Sequence, residues 1–391
     1  FAALTSGLGW LAMLAGHLTT SDLSIAESNP FYSLLAAAHF PLSAAAMLAF
    51  FILLLLPPAA ALPRQFLHWL GLALVSALLM LLQPFMAAVF LTAGGVYLLA
   101  AWRLGRRFPW QIFWRLALAT AVCILLALWT WQMVNRDPFL ANWQRQNLTA
   151  SPPVWDYLLG FGLPLLAAGF GAVWAWRQKQ AHWWLLFGWI LAAALGLYAP
   201  TLLQRRLSLG LHIPIALLGG LGVLRVWAAR WQPQRKSANA ALFLAVSALT
   251  SLLLLAVGWL GVRGGDERVY LAPNEAAALA WLDENAAPLQ VAAGSDNLNQ
   301  FIPAFTNLRA VSGHEFETVD YLATTARLEA LLTGQLSPAE LSAQLAEWRV
   351  TYLLVGPREA RPTAPDWAAL PFLTRLHQAG DVTIYRFTPQ P

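Results

Sequence analysis

Charge is what this 391-residue chain has least of: 11% of its residues are Asp, Glu, Lys or Arg, against 59% hydrophobic. A soluble chain of that length cannot cover a core with so little polar surface, so the bilayer has to solvate most of it. Cysteine is nearly absent as well. The one thiol, Cys123, lies inside an apolar run, which excludes an intrachain disulfide and marks a buried, inert group. Signatures readable at fixed spacing are also missing: there is no Gly-x-x-x-x-Gly-Lys phosphate loop, no Gly-x-Ser-x-Gly elbow and no His-Glu-x-x-His. Energy coupling through ATP and serine or zinc hydrolysis are thereby disfavoured. No acid falls in the middle of an apolar run, which argues against a proton-coupled transporter. The net charge is +5, but no Lys/Arg stripe with interleaved aromatics accompanies it, so no nucleic-acid partner is expected.

What charge there is divides sharply. Residues 1–263 carry 16 Lys and Arg and 4 Asp and Glu, whereas residues 264–391 carry 8 and 15. In the first part the cations cluster in every second gap between apolar runs: Arg64, then Arg103, Arg106 and Arg107, then Arg177 and Lys179, then Arg225 to Lys236. That is the positive-inside pattern of a polytopic membrane protein, and Trp at the span ends fits aromatic belts. The reading is a mainly α, polytopic transmembrane bundle of about nine spans in residues 1–263, followed by a small extracytoplasmic α/β domain in residues 264–391. The spans are placed at Phe1 to about Leu18, His39–Leu56 (stopped by Pro57 and Pro58), two within Phe66–Trp102 turning at Gln83-Pro84, Trp110–Trp131, Tyr157–Trp176, Trp183–Leu203, Leu207–Trp227 and Ala241–Val262. A loop is expected from Gln132 to Asp156. The first span is shorter than the roughly 20 residues needed to cross, so the chain is expected to be a fragment with earlier spans missing.

In the tail, helices are expected from Pro273, over Val319–Leu332 and over Pro338–Trp348 with Ser337 as N-cap. Strands are expected at Leu289–Ala293, Val350–Val355 and Val382–Phe387.

Three polar groups fall on the expected outer face. Asp22 and Glu27 share the first outer loop with His39 behind them; a carboxylate at a low-dielectric surface is suited to act as a general base toward a hydroxyl, although solvated loop acids look the same. Arg205 and Arg206 sit where cations are normally scarce, and paired guanidinium forks suit a lipid phosphate; His212 follows in the same segment. Snorkelling anchors and a packed neutral histidine are the ordinary alternatives. Gln83, His314 and Glu315 complete the candidate substrate-pocket residues with His39. His314-x-x-Glu317 lacks further ligands at a usable spacing, so neither a metal nor another cofactor is expected.

The segments SGLGWL (6–11), DLSIAES (22–28) before HFPL (39–42), and QRRLSLGLHIP (204–214), with EAAALAWLDEN, FIPAFTN and YLLVGPRE in the tail, resemble the large multi-span glycosyltransferases of the GT-C type. The likeness is greatest to bacterial members that end in an extracytoplasmic α/β domain. The resemblance implies a bacterial inner-membrane, cell-envelope enzyme that transfers a sugar from a polyprenyl-phosphate donor to an extracytoplasmic acceptor. Location and chemistry, not the resemblance, make Asp22 and Glu27 the candidate catalytic acids and Arg205, Arg206 and His212 the candidates for the donor phosphate. In such enzymes the catalytic acid sits in the first outer loop near the N-terminus, a region this chain is expected to lack, and no Asp-x-Asp is present. The competing expectation is a non-enzymatic membrane scaffold or lipid-handling protein whose tail binds a partner. Convergence of the outer-face polar residues on a cavity favours the first, and scatter over a convex surface the second.

Overall fold

The computed structural model of the chain describes residues 3–57 and 61–389, so Pro58 of the expected span stop lies outside the described residues. The chain divides into two compact units, Phe1–Arg136 with Leu148–Ala256, and Asp137–Asn147 with Val257–Pro391.

The first unit is helical: α1 (Gly9–Leu14), α2 (Ser21–Ser24), α3 (Pro30–Ala36), α4 (His39–Leu55), α5 (Leu62–Leu82), α6 (Met86–Gly105) and α7 (Trp110–Arg136). After a helix α8 (Pro138–Gln146), which belongs to the second unit, follow α9 (Val154–Arg177), α10 (Trp183–Gly196), α11 (His212–Leu221), α12 (Lys236–Ser247) and α13 (Leu249–Gly264). Among the described residues, five helices are long and apolar enough to cross a membrane: α5, α6, α7, α9 and the run Arg205–Arg230 that contains α11. The α12–α13 pair, bent by 45°, makes a sixth, while α4 and α10 are apolar but have only 17 and 14 residues. The protein is therefore a membrane protein, but the expected nine spans are not found among the described residues. The first apolar segment forms only the six-residue α1. The expected loop from Gln132 is also corrected: α7 continues to Arg136, and Asp137 accepts the amide of Phe139 (2.8 Å) to start α8.

The first segment fails to make a span because its backbone is engaged elsewhere. Gly162 interrupts α9 with φ 37° and ψ −123°, and Pro164 beyond it has no N–H to return to the previous turn. The freed carbonyl of Leu159 takes the amide of Leu8 at 2.8 Å. At the α12–α13 break the carbonyl of Ser247 accepts both the amide (2.6 Å) and the hydroxyl (3.0 Å) of Ser6. Thr250 Oγ1 receives the amide of Trp10 at 3.1 Å. Non-helical backbone inside an apolar bundle survives only where protein groups satisfy it, and Ser6, Leu8 and Trp10 donate those bonds. Close approach is the other requirement: a Cβ on Gly7 would lie 2.2 Å from the carbonyl oxygen of Gly160.

Around this thread α9 packs on α11. Here, too, small residues set the spacing, since a Cβ on Gly171 would fall 1.8 Å from the carbonyl oxygen of Leu218. A second cluster, including Phe50, Phe90 and Trp189, joins α4, α5, α6, α7 and α10. Arg115 of α7, a cation inside an apolar span that the sequence reading does not single out, is 3% exposed and donates to the carbonyls of Leu54 (3.0 Å) and Leu56 (2.6 Å). It thus satisfies open carbonyls at the end of α4.

The second unit contains α8 and a five-stranded sheet ordered β2-β1-β3-β5-β4, with β1 (Val291–Ala293), β2 (Arg309–Ala310), β3 (Val350–Val355), β4 (Leu373–Ala379) and β5 (Val382–Phe387). The β2, β1 and β3 strands are parallel, and β5 and β4 add antiparallel. Helices α14 (Pro273–Asn285), α15 (Asp296–Asn299), α16 (Ile302–Phe305), α17 (Tyr321–Leu332) and α18 (Pro338–Glu347) accompany the sheet, with Ser337 and Glu340 forming a capping box. At the C-terminal ends of β1 and β3, where open α/β sheets commonly bind ligands, Glu359 already takes the amides of Ser295 (2.7 Å) and Gly356 (3.0 Å). Burial raises its pKa despite those bonds.

The α9–α11 contact yields a direct test. Gly171→Val is expected to cost about 3 kcal/mol by overpacking and to lower the thermal midpoint of the purified protein. Gly169→Val, at a position with nothing within 4 Å of an added Cβ, serves as the control, and an equal loss in both would contradict the close-packing account.

Candidate functional site

The polar loop after α1 is knit to itself. Asn29 caps α3 by accepting the amides of Phe31 (3.0 Å) and Tyr32 (3.4 Å), and its side-chain amide donates to the carbonyl of Asp22 (3.2 Å). Ser28 donates to the carbonyl of Ser21 (2.6 Å) and Ser33 to that of Ala26 (2.6 Å). These short side chains compete well for nearby backbone groups, and the result is a rigid 3-10 turn at Ala26–Ser28 that carries Glu27.

The two expected acids receive different environments. Asp22 is 1% exposed, and its Oδ2 accepts the amides of Gly7 (3.0 Å) and Gly9 (3.1 Å). Burial raises its pKa, with the bonds from Gly9 and Gly7 opposing; the carboxyl braces the buried thread. Glu27 is 6% exposed, and among the described residues no hydrogen bond or ion pair reaches its carboxylate. It lines a cavity of about 210 Å³ whose wall is otherwise mostly apolar, including Pro41, Ala44, Leu48 and Leu209.

The basic pair meets this turn. Arg205–Ser208 form a second 3-10 turn, which packs against Ala26–Ser28. Its position is fixed from the other side: the amide of Arg205 donates to Thr149 (3.0 Å), that of Thr149 to Leu202 (2.8 Å), and that of Ser151 to Gln204 Oε1 (3.1 Å). Both arginines are half-buried. Nε of Arg205 is buried with no hydrogen-bond partner among the described residues. His39, exposed at the start of α4, lies within electrostatic range of both Arg206 and Glu27, and Tyr157 within range of Glu27 and Arg205. Leu209 and Gly210, just beyond the basic turn, line the same cavity as Glu27. A carboxylate, a histidine and two guanidinium groups are therefore gathered beside an apolar cavity.

The remaining expected residues lie elsewhere. His212 is 1% exposed, held by Thr5 Oγ1 (2.9 Å) and stacked with Phe161 at 6.1 Å, which leaves no free face for a phosphate. Gln83 is buried in the α5–α6 turn, where its amide bonds Leu79 and its carbonyl accepts from Met86. His314 and Glu315 belong to the second unit. His314 Nδ1 accepts the amide of Phe316 (3.2 Å), and Glu315 lines a cleft of about 540 Å³ with Gln146, Asp320 and Tyr321. Among the described residues no group of three or more His, Cys, Asp or Glu could hold a metal ion.

One polar cluster escapes the sequence reading. His17 Nε2 lies 2.6 Å from Asp156 Oδ1, and Thr19 donates to Oδ2 at 2.9 Å, with the Asp156 side chain 2% exposed and that of His17 41%. The residues stand 139 positions apart, and no local spacing could have paired them.

No family model matches the chain, and no curated protein matches it. Among solved structures, the oligosaccharyltransferase of Archaeoglobus fulgidus in complex with zinc and sulfate is similar at 13% identity and TM-score 0.45, over 88% of this chain and 55% of that one. The apo form gives 12% identity and TM-score 0.44, over 89% and 57%. The archaeal oligosaccharyltransferase AglB from the same organism, in complex with an inhibitory peptide and a dolichol-phosphate, gives 13% and 0.43, over 88% and 57%. The chain spans about half the length of these structures. At this similarity the likeness assigns no residue of this chain a role.

The different surroundings of the two acids predict different mutational outcomes. Asp22→Ala orphans two buried amides and is expected to cost roughly 2–3 kcal/mol. Asp22→Asn, which keeps an acceptor oxygen and removes a buried charge, should stay within about 1 kcal/mol of the parent. Thermal unfolding of the two variants checks the brace, and equal losses would remove it.

Proposed function

We propose that this protein is a membrane glycosyltransferase that moves a sugar from a polyprenyl-phosphate donor to an acceptor hydroxyl on the extracytoplasmic side of a bacterial inner membrane. The observation that carries the reading is the meeting of the Ala26–Ser28 and Arg205–Ser208 turns, which brings Glu27, whose carboxylate accepts no hydrogen bond among the described residues, together with two half-buried arginines. Convergence of this kind supports the enzyme over the scaffold.

In this reading Arg205 and Arg206 hold the donor phosphate through charge-assisted hydrogen bonds. Glu27 accepts the proton of the acceptor hydroxyl as its oxygen forms a bond to the anomeric carbon. The bond from that carbon to the phosphate oxygen breaks, and the electron pair leaves with the phosphate. The guanidinium groups stabilise the charge that develops there, and attack opposite the leaving phosphate inverts the anomeric centre. Asp22 keeps the loop in place. His39, in range of both charges, is the side chain best placed to meet the sugar between them, whereas His212 remains a packing residue.

The test uses the protein in liposomes with a radiolabelled polyprenyl-phosphate hexose. Arg205→Gln/Arg206→Gln is expected to weaken donor binding about 10- to 100-fold and to abolish transfer while leaving expression intact. Glu27→Gln should leave donor binding nearly unchanged and reduce turnover by about 100-fold or more. Unchanged turnover in the double arginine variant would overturn the clamp, and full activity of Glu27→Gln would remove the base.

A further inference from the structure

We infer that the cavity beside Glu27 receives the hydrocarbon of an amphipathic lipid alcohol, and that the hydroxyl of this lipid is the group presented to Glu27. The inference rests on the proposed transferase reading for the meaning of that hydroxyl, as an acceptor. It rests on the cavity alone for the binding.

Glu27 is more than nine-tenths buried without a hydrogen-bond partner among the described residues, and it lines the cavity of about 210 Å³. A carboxylate that accepts no hydrogen bond from the protein beside such a cavity is open to a donor brought by a ligand. The wall says which kind. Pro30, Pro41, Ala44, Leu48 and Leu209 offer no hydrogen bonds from their side chains, and the hydroxyl of Ser33 is already donated to the carbonyl of Ala26 at 2.6 Å. A peptide or a free sugar would bury several polar groups against this wall and leave most of them unsatisfied. A lipid alcohol brings one donor and a chain that fits the remainder.

The rim points the same way. Leu34 is 60% exposed and Leu48 37% exposed where they line the cavity, and Leu35, Leu42 and Ile52 continue the apolar surface along α3 and α4. The cavity thus borders surface that lipid covers in a membrane protein. The headgroup is constrained by charge: the positive field of Arg205 and Arg206 beside the Glu27 turn repels an ammonium, and an anionic head placed at Glu27 would meet the carboxylate. A neutral hydroxyl, donating to the carboxylate and later giving its proton to it, suits both.

The test reads occupancy without turnover. The protein in nanodiscs is exposed to three chain-matched probes with a mid-chain diazirine, carrying a hydroxyl, a trimethylammonium or a phosphate head, and labelled peptides are mapped by mass spectrometry after irradiation. The alcohol is expected to label segment 30–48 more strongly than the other two probes do. Ala44→Phe, which fills the cavity, and Glu27→Leu, which removes the acceptor, should each reduce that labelling at least about tenfold. Glu27→Gln, whose amide oxygen still accepts, should retain most of it. Equal labelling of segment 30–48 by all three heads, preferential labelling of that segment by the ammonium or phosphate probe, or labelling unchanged in both Ala44→Phe and Glu27→Leu would overturn the inference. If the alcohol labels the cavity as expected while the double arginine variant transfers sugar normally, the lipid site stands and the donor clamp falls.

Discussion

Everything in the membrane unit is arranged around the need to satisfy extended backbone inside an apolar bundle. Residues 6–8 run non-helically between α9 and the α12–α13 pair, ahead of α1, and every such segment carries amides and carbonyls that hydrocarbon cannot solvate. The helices meet that need by breaking. The interruption at Gly162 frees the Leu159 carbonyl for Leu8, and the bend after Ser247 frees a carbonyl for Ser6. Asp22 completes the arrangement by accepting from Gly7 and Gly9. Because the thread and the loop behind it are tied through Asp22, the turn bearing Glu27 takes its place from these bonds.

That hierarchy explains how neighbouring acids in one loop come to do different work. Asp22 Oδ2 accepts two backbone amides and burial pushes the carboxyl toward its neutral form, so its contribution is to structure. Glu27, five residues on, lines a cavity and accepts no backbone amide among the described residues. On the opposite side, the network through Thr149, Ser151 and Gln204 fixes the arginine turn by main-chain geometry. In the proposed reading, that fixed turn is what preorganises Arg205 and Arg206 for a phosphate.

Much of this was legible in the chain because membrane solvation writes itself into composition. Apolar runs and basic gaps located α5, α6 and α9 closely, and the Gln83-Pro84 turn between two helices follows from proline chemistry. The tail's helices and β3 and β5 were legible for similar reasons: Ser337 is a recognisable cap, and Val350–Val355 is a β-branched, apolar run. The span count was less accessible. Hydropathy registers that a segment is apolar, but not that its backbone is diverted into another helix's break, so the segment ending near Leu18 read as a span. Strand β4, with Thr374, Arg375, His377 and Gln378, is polar enough to pass for loop. Long-range pairs such as His17 with Asp156, or Arg115 with the end of α4, leave no local trace. Arg205, Arg206 and Glu27 could be singled out from chemistry and position, but that their turns touch could come only from the fold.

The central claim is that those two turns form one ligand site. Its most direct measurement is an experimental structure of the protein in a lipid environment with a polyprenyl phosphate added. The account predicts phosphate oxygens within about 3 Å of the Arg205 and Arg206 guanidinium nitrogens, on the side of the turn that faces Glu27. A lipid phosphate bound elsewhere, with this pair facing only solvent or headgroups, would contradict it.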